Sequence, residues 1–275
     1  MPSSSDKRVG VLDQETLDLY RKAMRALEAA GIPFLVGGAY AFARYTGIVR
    51  HTKDFDIFLR PDVVRRALDA LEQVGFRTEV WSEVWLAKAF DHDVFVDLIF
   101  SSGNGLARVD HEWFHYGVPE IVLGEQVLLV PMEEMIWSKA FVQERERYDG
   151  ADVLHILRGC AQKIDWQRLI ARFGDQWRVL YAFLIQFGFA YPSDRDAIPL
   201  AVMTELGERL AREQVAEPPA ERVCMGTLLS NKQFLPDTEC WGYADGRIVE
   251  GSMTPLEVQQ LTAELHRQLV LPDCE

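Results

Sequence analysis

FLVGGAYAF at residues 34–42, HTKDFDIFL at residues 51–59 and VFVDLIF at residues 94–100 decide how this chain is read. Gly37 and Gly38 form a turn after a short apolar run, and Asp54 and Asp56 stand one residue apart at the head of a second run. Asp97 sits inside the third. Side chains two apart on a strand project from the same face, so Asp54 and Asp56 converge on one volume. Asp97 carries the most information. An ionised carboxylate among residues that want burial costs free energy unless a cation or strong donors compensate it, and a purely structural salt bridge, as to an arginine, is the alternative to a metal.

Outward from these runs, the first part of the chain alternates between helices and strands. Leu17, Tyr20, Met24 and Leu27 recur at helical spacing, and Gly31 with Pro33 closes that helix before the FLV strand. AYAFARYTG predicts a short helix and DFDIFL a strand; Val64, Ala67, Leu68, Leu71 and Val74 then keep the helical period up to a stop at Gly75. FRTEVW, VWLAKAF and DVFVDLIF predict neighbouring antiparallel strands, with a turn at Asp91-His92 before the last.

From Pro131 the pattern becomes helical. MEEMIWSKAFVQERERY reads as one helix, Asp165 caps WQRLIARF, and Trp177, Tyr181, Leu184 and Ile185 mark a buried helix face. Glu217 to Pro219 reads as a loop or linker. CWGYADGRIVEG predicts a hairpin about Asp245-Gly246, and Thr254, Pro255 and Glu257 a capping-box start for a last helix through Leu261, Leu265 and Leu269. The expected organisation is a catalytic core over residues 1–130 and a mainly helical region over 131–275 with a small β-hairpin near 240–250.

Composition narrows the class. With 275 residues, 48% hydrophobic and 26% charged, the chain can bury a core without staples. Cys160, Cys224, Cys240 and Cys274 are far apart with no Cys-x-x-Cys pair and are expected to be reduced thiols. His92, His111, His115 and His155 lack zinc-ligand spacing. No stretch is long and apolar enough to span a bilayer and the N-terminus lacks a signal-peptide core, so the expected location is the cytoplasm, with no membrane partner. A formal charge of −13 disfavours a broadly basic nucleic-acid surface, though not a local basic groove.

Carboxylates on adjacent strands are hard oxygen donors of the type magnesium takes, and paired ions on such ligands clamp the entering and leaving oxygens of a phosphoryl displacement. A glycine turn opening a helix lets backbone amides approach a triphosphate at the helix's positive end, the role expected of Gly37 and Gly38.

The Gly37-Gly38 turn, then Arg50 and Thr52, the Asp54-x-Asp56 pair and the strand aspartate Asp97 together resemble the polymerase-beta-like nucleotidyltransferase superfamily. Within it, the chain looks most like small bacterial enzymes grouped with AbiEii-like abortive-infection toxins, where a later helix carries a lysine followed by arginine and aspartate. SKAFVQERERYDGADVLHIL offers Lys139, Arg145 or Arg147, and Asp149 or Asp152. The resemblance implies an α+β fold, with a mixed β-sheet flanked by helices, and an enzyme that moves a nucleoside monophosphate from a triphosphate such as ATP to an acceptor hydroxyl. It implies two Mg2+ ions on Asp54, Asp56 and Asp97, with Asp97 also helping to deprotonate the acceptor.

Gly37, Gly38, Thr52 and Lys139 are then expected to bind the nucleotide, and Asp149 or Asp152 to orient the acceptor or base. The bland alternative makes QERERYDGAD a solvated helix face with pairs such as Arg145 and Asp149. The acceptor is expected to be an RNA end, particularly of tRNA, or a small hydroxylated molecule; a toxin would also have a cognate antitoxin as partner. A silent nucleotide-binding or regulatory protein with the same fold is the competing expectation.

Overall fold

The computed structural model describes residues 13–50 and 54–265, so the expectations for Thr52 and Leu269 lie outside the described residues. The chain divides into two compact units, Met1–Gly103 with Ala107–Met135, and Asn104–Leu106 with Ile136–Glu275.

The first unit opens with helix α1 (Gln14–Ala29), whose start is fixed by the Asp13 carboxylate accepting the Thr16 N–H at 2.8 Å. Then come strand β1 (Leu35–Val36), α2 (Gly38–Thr46), β2 (Asp54–Phe58), α3 (Val64–Gln73), β3 (Arg77–Ser82), β4 (Leu86–Asp91), β5 (Val94–Ile99), α4 (His111–His115), β6 (Val118–Val122) and β7 (Glu125–Leu129). Helix α5 (Met132–Ala140) carries the chain into the second unit.

All seven strands join one sheet in the order β3-β4-β5-β2-β1-β7-β6. The pairs β2–β5 and β1–β7 are parallel and the others antiparallel, so the sheet is mixed, and β3, β4 and β5 are the expected antiparallel neighbours. Alternation along β2 separates its two faces. Phe55 and Ile57 are fully buried, and the Tyr20 ring of α1 stacks on Phe55 at 4.6 Å between centroids. Each such side chain contributes about 1.5–3 kcal/mol through burial. Asp54, Asp56 and Phe58 take the opposite face, where Phe58 stacks on Trp113 of α4 at 5.5 Å. The hydrophobic half of β2 thus anchors the strand while its other half presents carboxylates.

The second unit is mainly helical: α6 (Gly150–Cys160), α7 (Trp166–Phe173), α8 (Trp177–Ala190), α9 (Leu200–Val215), β8 (Val223–Cys224), α10 (Leu235–Glu239), β9 (Ala244–Asp245), α11 (Gly246–Val249) and α12 (Pro255–Leu265). Asp165 caps α7 through the Arg168 N–H, and Thr254 with Glu257 forms the reciprocal capping box that starts α12. The buried side of α8 is Trp177, Leu180, Phe183, Leu184 and Phe187, whereas Ile185 faces outward. No described helix is long and apolar enough to cross a membrane.

Three further expectations fail here, besides that for Ile185. The hairpin about Asp245-Gly246 does not form: β9 pairs in parallel with β8, and the Asp245 carboxylate accepts the Arg247 N–H, which starts α11 instead of turning the chain back. The helix expected through Tyr148 stops at Ala140. Beyond it a loop is closed by the Gln143–Tyr148 bridge, with the Gln143 N–H donating to the Leu229 carbonyl and the Glu144 carboxylate accepting from Ser230 and Asn231. Those contacts satisfy the backbone without a helix, and the run from Glu144 to Arg147 has no apolar stripe to hold one down. Cys160 and Cys224 are free and buried as expected, but Cys240 is disulfide-bonded. Pairing depends on how closely two Cα atoms approach in space, which sequence spacing does not report.

Candidate active site

In the parallel pairing of β2 with β5, Asp56 is the register partner of Asp97 and Asp54 that of Phe95. Antiparallel pairing extends the same row outward, with Lys88 of β4 opposite Asp97 and Glu79 of β3 opposite Lys88. On the inner side the Gly37 N–H donates to the Asp56 carbonyl at 2.9 Å. One row therefore crosses the sheet through Glu79, Lys88, Asp97, Asp56 and Gly37. Asp54 is exposed, and Asp56 and Asp97 are half-buried on that face.

The glycines are required by space. A Cβ on Gly38 would run into the Asp56 carboxylate, and Gly38 has φ +52°, where side chains are strained; a Cβ on Gly37 would run into the Phe58 ring. The turn opens α2 directly beside Asp56, so the first N–H groups of that helix lie next to the carboxylate row.

Sequence reasoning missed Lys88. It is only 7% exposed, its Nζ lies 2.7 Å from Asp97 Oδ1, and the ammonium stands over the rings of Phe95 at 3.9 Å and Trp81 at 4.5 Å. The signal was present in VWLAKAF, a charged residue inside an apolar strand, the same anomaly that singled out Asp97. The field of the carboxylates reaches through the sheet: the Tyr20 hydroxyl is pushed up from its ordinary pKa by burial first, then by Asp54, Asp13, Asp56 and Asp97.

Among the described residues, no three Asp, Glu, His or Cys side chains form a ready-made metal cage. Magnesium needs only one or two carboxylates, with water and phosphate oxygens completing its octahedron. Asp54 and Asp56 on one face of β2, beside the side-chain-free approach at Gly38, are the one or two carboxylates that fit such an ion.

The remaining candidates lie apart in sequence. Arg50 is exposed and covers the Phe42 ring at 4.3 Å. In the second unit, Lys139 Nζ donates to Asp149 Oδ2 at 2.8 Å and to Asp152 Oδ2 at 2.9 Å, so these three expected site residues do form one cluster. Arg147 joins it through Asp149; Arg145 is exposed and does not pair as the expected helical partner of Asp149. Burial raises the Asp149 pKa, but Lys139 and Arg147 outweigh it and hold the carboxyl below its ordinary value.

A depressed folded-state pKa means that Asp149 contributes stability above the unfolded carboxyl value of about 4 and loses it as pH falls through the folded value. Asp149→Asn is expected to cost about 1–2 kcal/mol at neutral pH, because Asp152 still holds Lys139. Urea unfolding at pH 7, 5, 4 and 3 should show that gap constant down to pH 5 and closing below about pH 4. A gap that persists at pH 3 would contradict the assignment.

No family model matches the chain, and no curated protein matches it in sequence. Similar solved structures include the antibiotic-resistance factor ANT(2'')-Ia in solution, at 17% identity over 65% of this chain and 100% of that one, with a TM-score of 0.43. The lincosamide antibiotic adenylyltransferase LnuA, bound to lincomycin, matches at 13% identity over 53% of this chain and 96% of that one, with a TM-score of 0.37. An antigenic nucleotidyltransferase-like protein from Paracoccidioides brasiliensis matches at 14% identity over 68% and 93% of the two chains, with a TM-score of 0.43.

Proposed function

We propose that this chain is a magnesium-dependent nucleotidyltransferase that moves a nucleoside monophosphate from a triphosphate, such as ATP, to an acceptor hydroxyl, whose oxygen bonds to the α-phosphorus as the bond to pyrophosphate breaks and pyrophosphate leaves. The carrying observation is the register of β2 on β5, which sets Asp56 beside Asp97 with Asp54 on the same face, next to a turn where only glycine fits. Asp54, Asp56 and Asp97 are the residues that would hold magnesium. The metal would supply Lewis-acid neutralisation of charge on the triphosphate. Around it, the amides opening α2 cradle phosphate oxygens. Asp97 would also help to deprotonate the acceptor hydroxyl.

A small hydroxylated cation is the acceptor we favour, because a formal charge of −13 attracts a cation and repels an RNA backbone. The AbiEii-like version, with a tRNA end as acceptor and a cognate antitoxin, keeps the same metal chemistry and needs a basic groove. The observation favouring a catalytically silent protein is the Lys88 ammonium seated on Asp97.

One assay separates these readings: α-labelled triphosphates with Mg2+, offered in parallel to total RNA and to a panel of aminoglycosides. Label is expected on an aminoglycoside, and only with Mg2+ present. Label on RNA would favour the toxin version. No transfer to either acceptor class, together with no Mg2+-dependent triphosphate binding, would overturn the enzyme.

A further inference from the structure

Lys88 is an expensive residue to place where it stands. An ammonium removed from water needs a compensating charge, and here it receives Asp97 on one side and two aromatic faces, Phe95 and Trp81, around it. The contact is built into the sheet, because Lys88 and Asp97 are register partners on adjacent antiparallel strands and Asp97 and Asp56 are register partners on the next pair. Directly opposed like charges destabilise a sheet. Lys88 is a cation that offsets the opposition of Asp56 and Asp97 within the row.

That position also puts it in competition with any other cation for Asp97. A carboxylate has two oxygens; Oδ1 is taken by Lys88, and the positive charge beside it weakens the pull of the whole row on a divalent ion.

We infer that Lys88 is a resident counter-cation of the Asp54–Asp56–Asp97 site, lowering its affinity for free divalent metal so that the metal enters with a nucleoside triphosphate. The inference rests on reading these carboxylates as metal ligands. The three phosphates bring the negative charge that the lysine has cancelled, and with it the missing oxygen donors. Lys88 acts through Asp97 and is a positioning residue.

The test measures Mn2+ binding to metal-free full-length protein, by calorimetry and by loss of the free-ion electron paramagnetic resonance signal. Wild type is compared with Lys88→Met and Lys88→Gln, each with and without a non-hydrolysable triphosphate. Without nucleotide, both variants are expected to bind Mn2+ about tenfold more tightly than wild type, as removal of a unit charge a few ångström away predicts. Their thermal midpoints should also rise more steeply with Mn2+ than that of wild type.

Variants that fold only with Mn2+ present would support the inference in the same sense. Variants that bind Mn2+ with wild-type affinity, that lose binding, or that fail to fold even with Mn2+ would overturn it, while nucleotide-dependent binding by wild type keeps the metal site standing. Absence of Mn2+ binding to any of the three proteins, with nucleotide present, would remove the metal site itself and the inference with it.

Discussion

Asp56→Asn is expected to abolish nucleotide transfer while leaving the protein at least as stable as wild type. The amide keeps the shape of the carboxylate but loses the charge, and one of the two oxygens, that a hard divalent ion needs. If that ion neutralises the triphosphate, losing a central ligand costs about 4 kcal/mol or more of transition-state stabilisation, roughly a thousandfold in turnover. Stability moves the other way. Asp56 stands directly opposite Asp97 in the sheet, and removing one of two opposed like charges relieves about 0.2–1 kcal/mol. Label-transfer rates and thermal melts in metal-free buffer, read on the same preparation, check both halves. Full turnover by Asp56→Asn would show that the carboxylate row is not the metal site, and a large fall in melting temperature would show that Asp56 is a structural residue.

How much of this row the sequence could disclose follows from which forces are local. The period-two alternation of DFDIF separates core from carboxylates without any tertiary information, and β2 follows it, with Phe55 and Ile57 buried. The antiparallel run of β3, β4 and β5 also follows from short connections between β-rich segments. Strand order does not. That β5 lies parallel to β2, bringing Asp97 to Asp56, depends on the packing of the intervening helix α3 and on where β3 and β4 pair.

Strands β6 and β7 escaped notice because their tight turn uses Leu123, at φ +53°, followed by Gly124. A leucine is an unusual choice there, so the turn signal was absent; its carbonyl instead accepts the Arg21 Nε–H at 2.7 Å. Lys88 was legible by the argument already applied to Asp97, a charge that apolar neighbours oblige to find a partner. What the sequence could not supply was that the two charges are partners of each other.

The segment from Cys224 to Arg247 is tied together by a buried arginine, and this leads to the largest stability effect expected in the second unit. Arg247 is fully buried. Its Nε and one terminal nitrogen fork onto Asp245 at 2.9 and 2.5 Å, and the other terminal nitrogen donates to Asn231 Oδ1 at 2.9 Å. Burial raises the Asp245 pKa, yet Arg247 outweighs it and holds the carboxyl below its ordinary value, so the pair is ionised at neutral pH. Asn231 in turn donates its backbone N–H to Glu144, and the Arg247 carbonyl accepts from Ser252 and Met253.

Arg247→Met leaves a buried carboxylate without its cation and is expected to cost about 3–5 kcal/mol, or about 10 °C in melting temperature. Arg247→Lys should recover only part of this, because a single ammonium cannot reproduce the fork. The double change Arg247→Met with Asp245→Leu should recover more than either single change predicts, since removing both charges removes the desolvation problem that each single variant creates. Hydrogen exchange should localise the loss to residues 222–253 and the Glu144 loop. If Arg247→Met unfolds within about 1 kcal/mol of wild type, the fork is a surface-strength ion pair despite its burial, and the second unit is held by its helices alone.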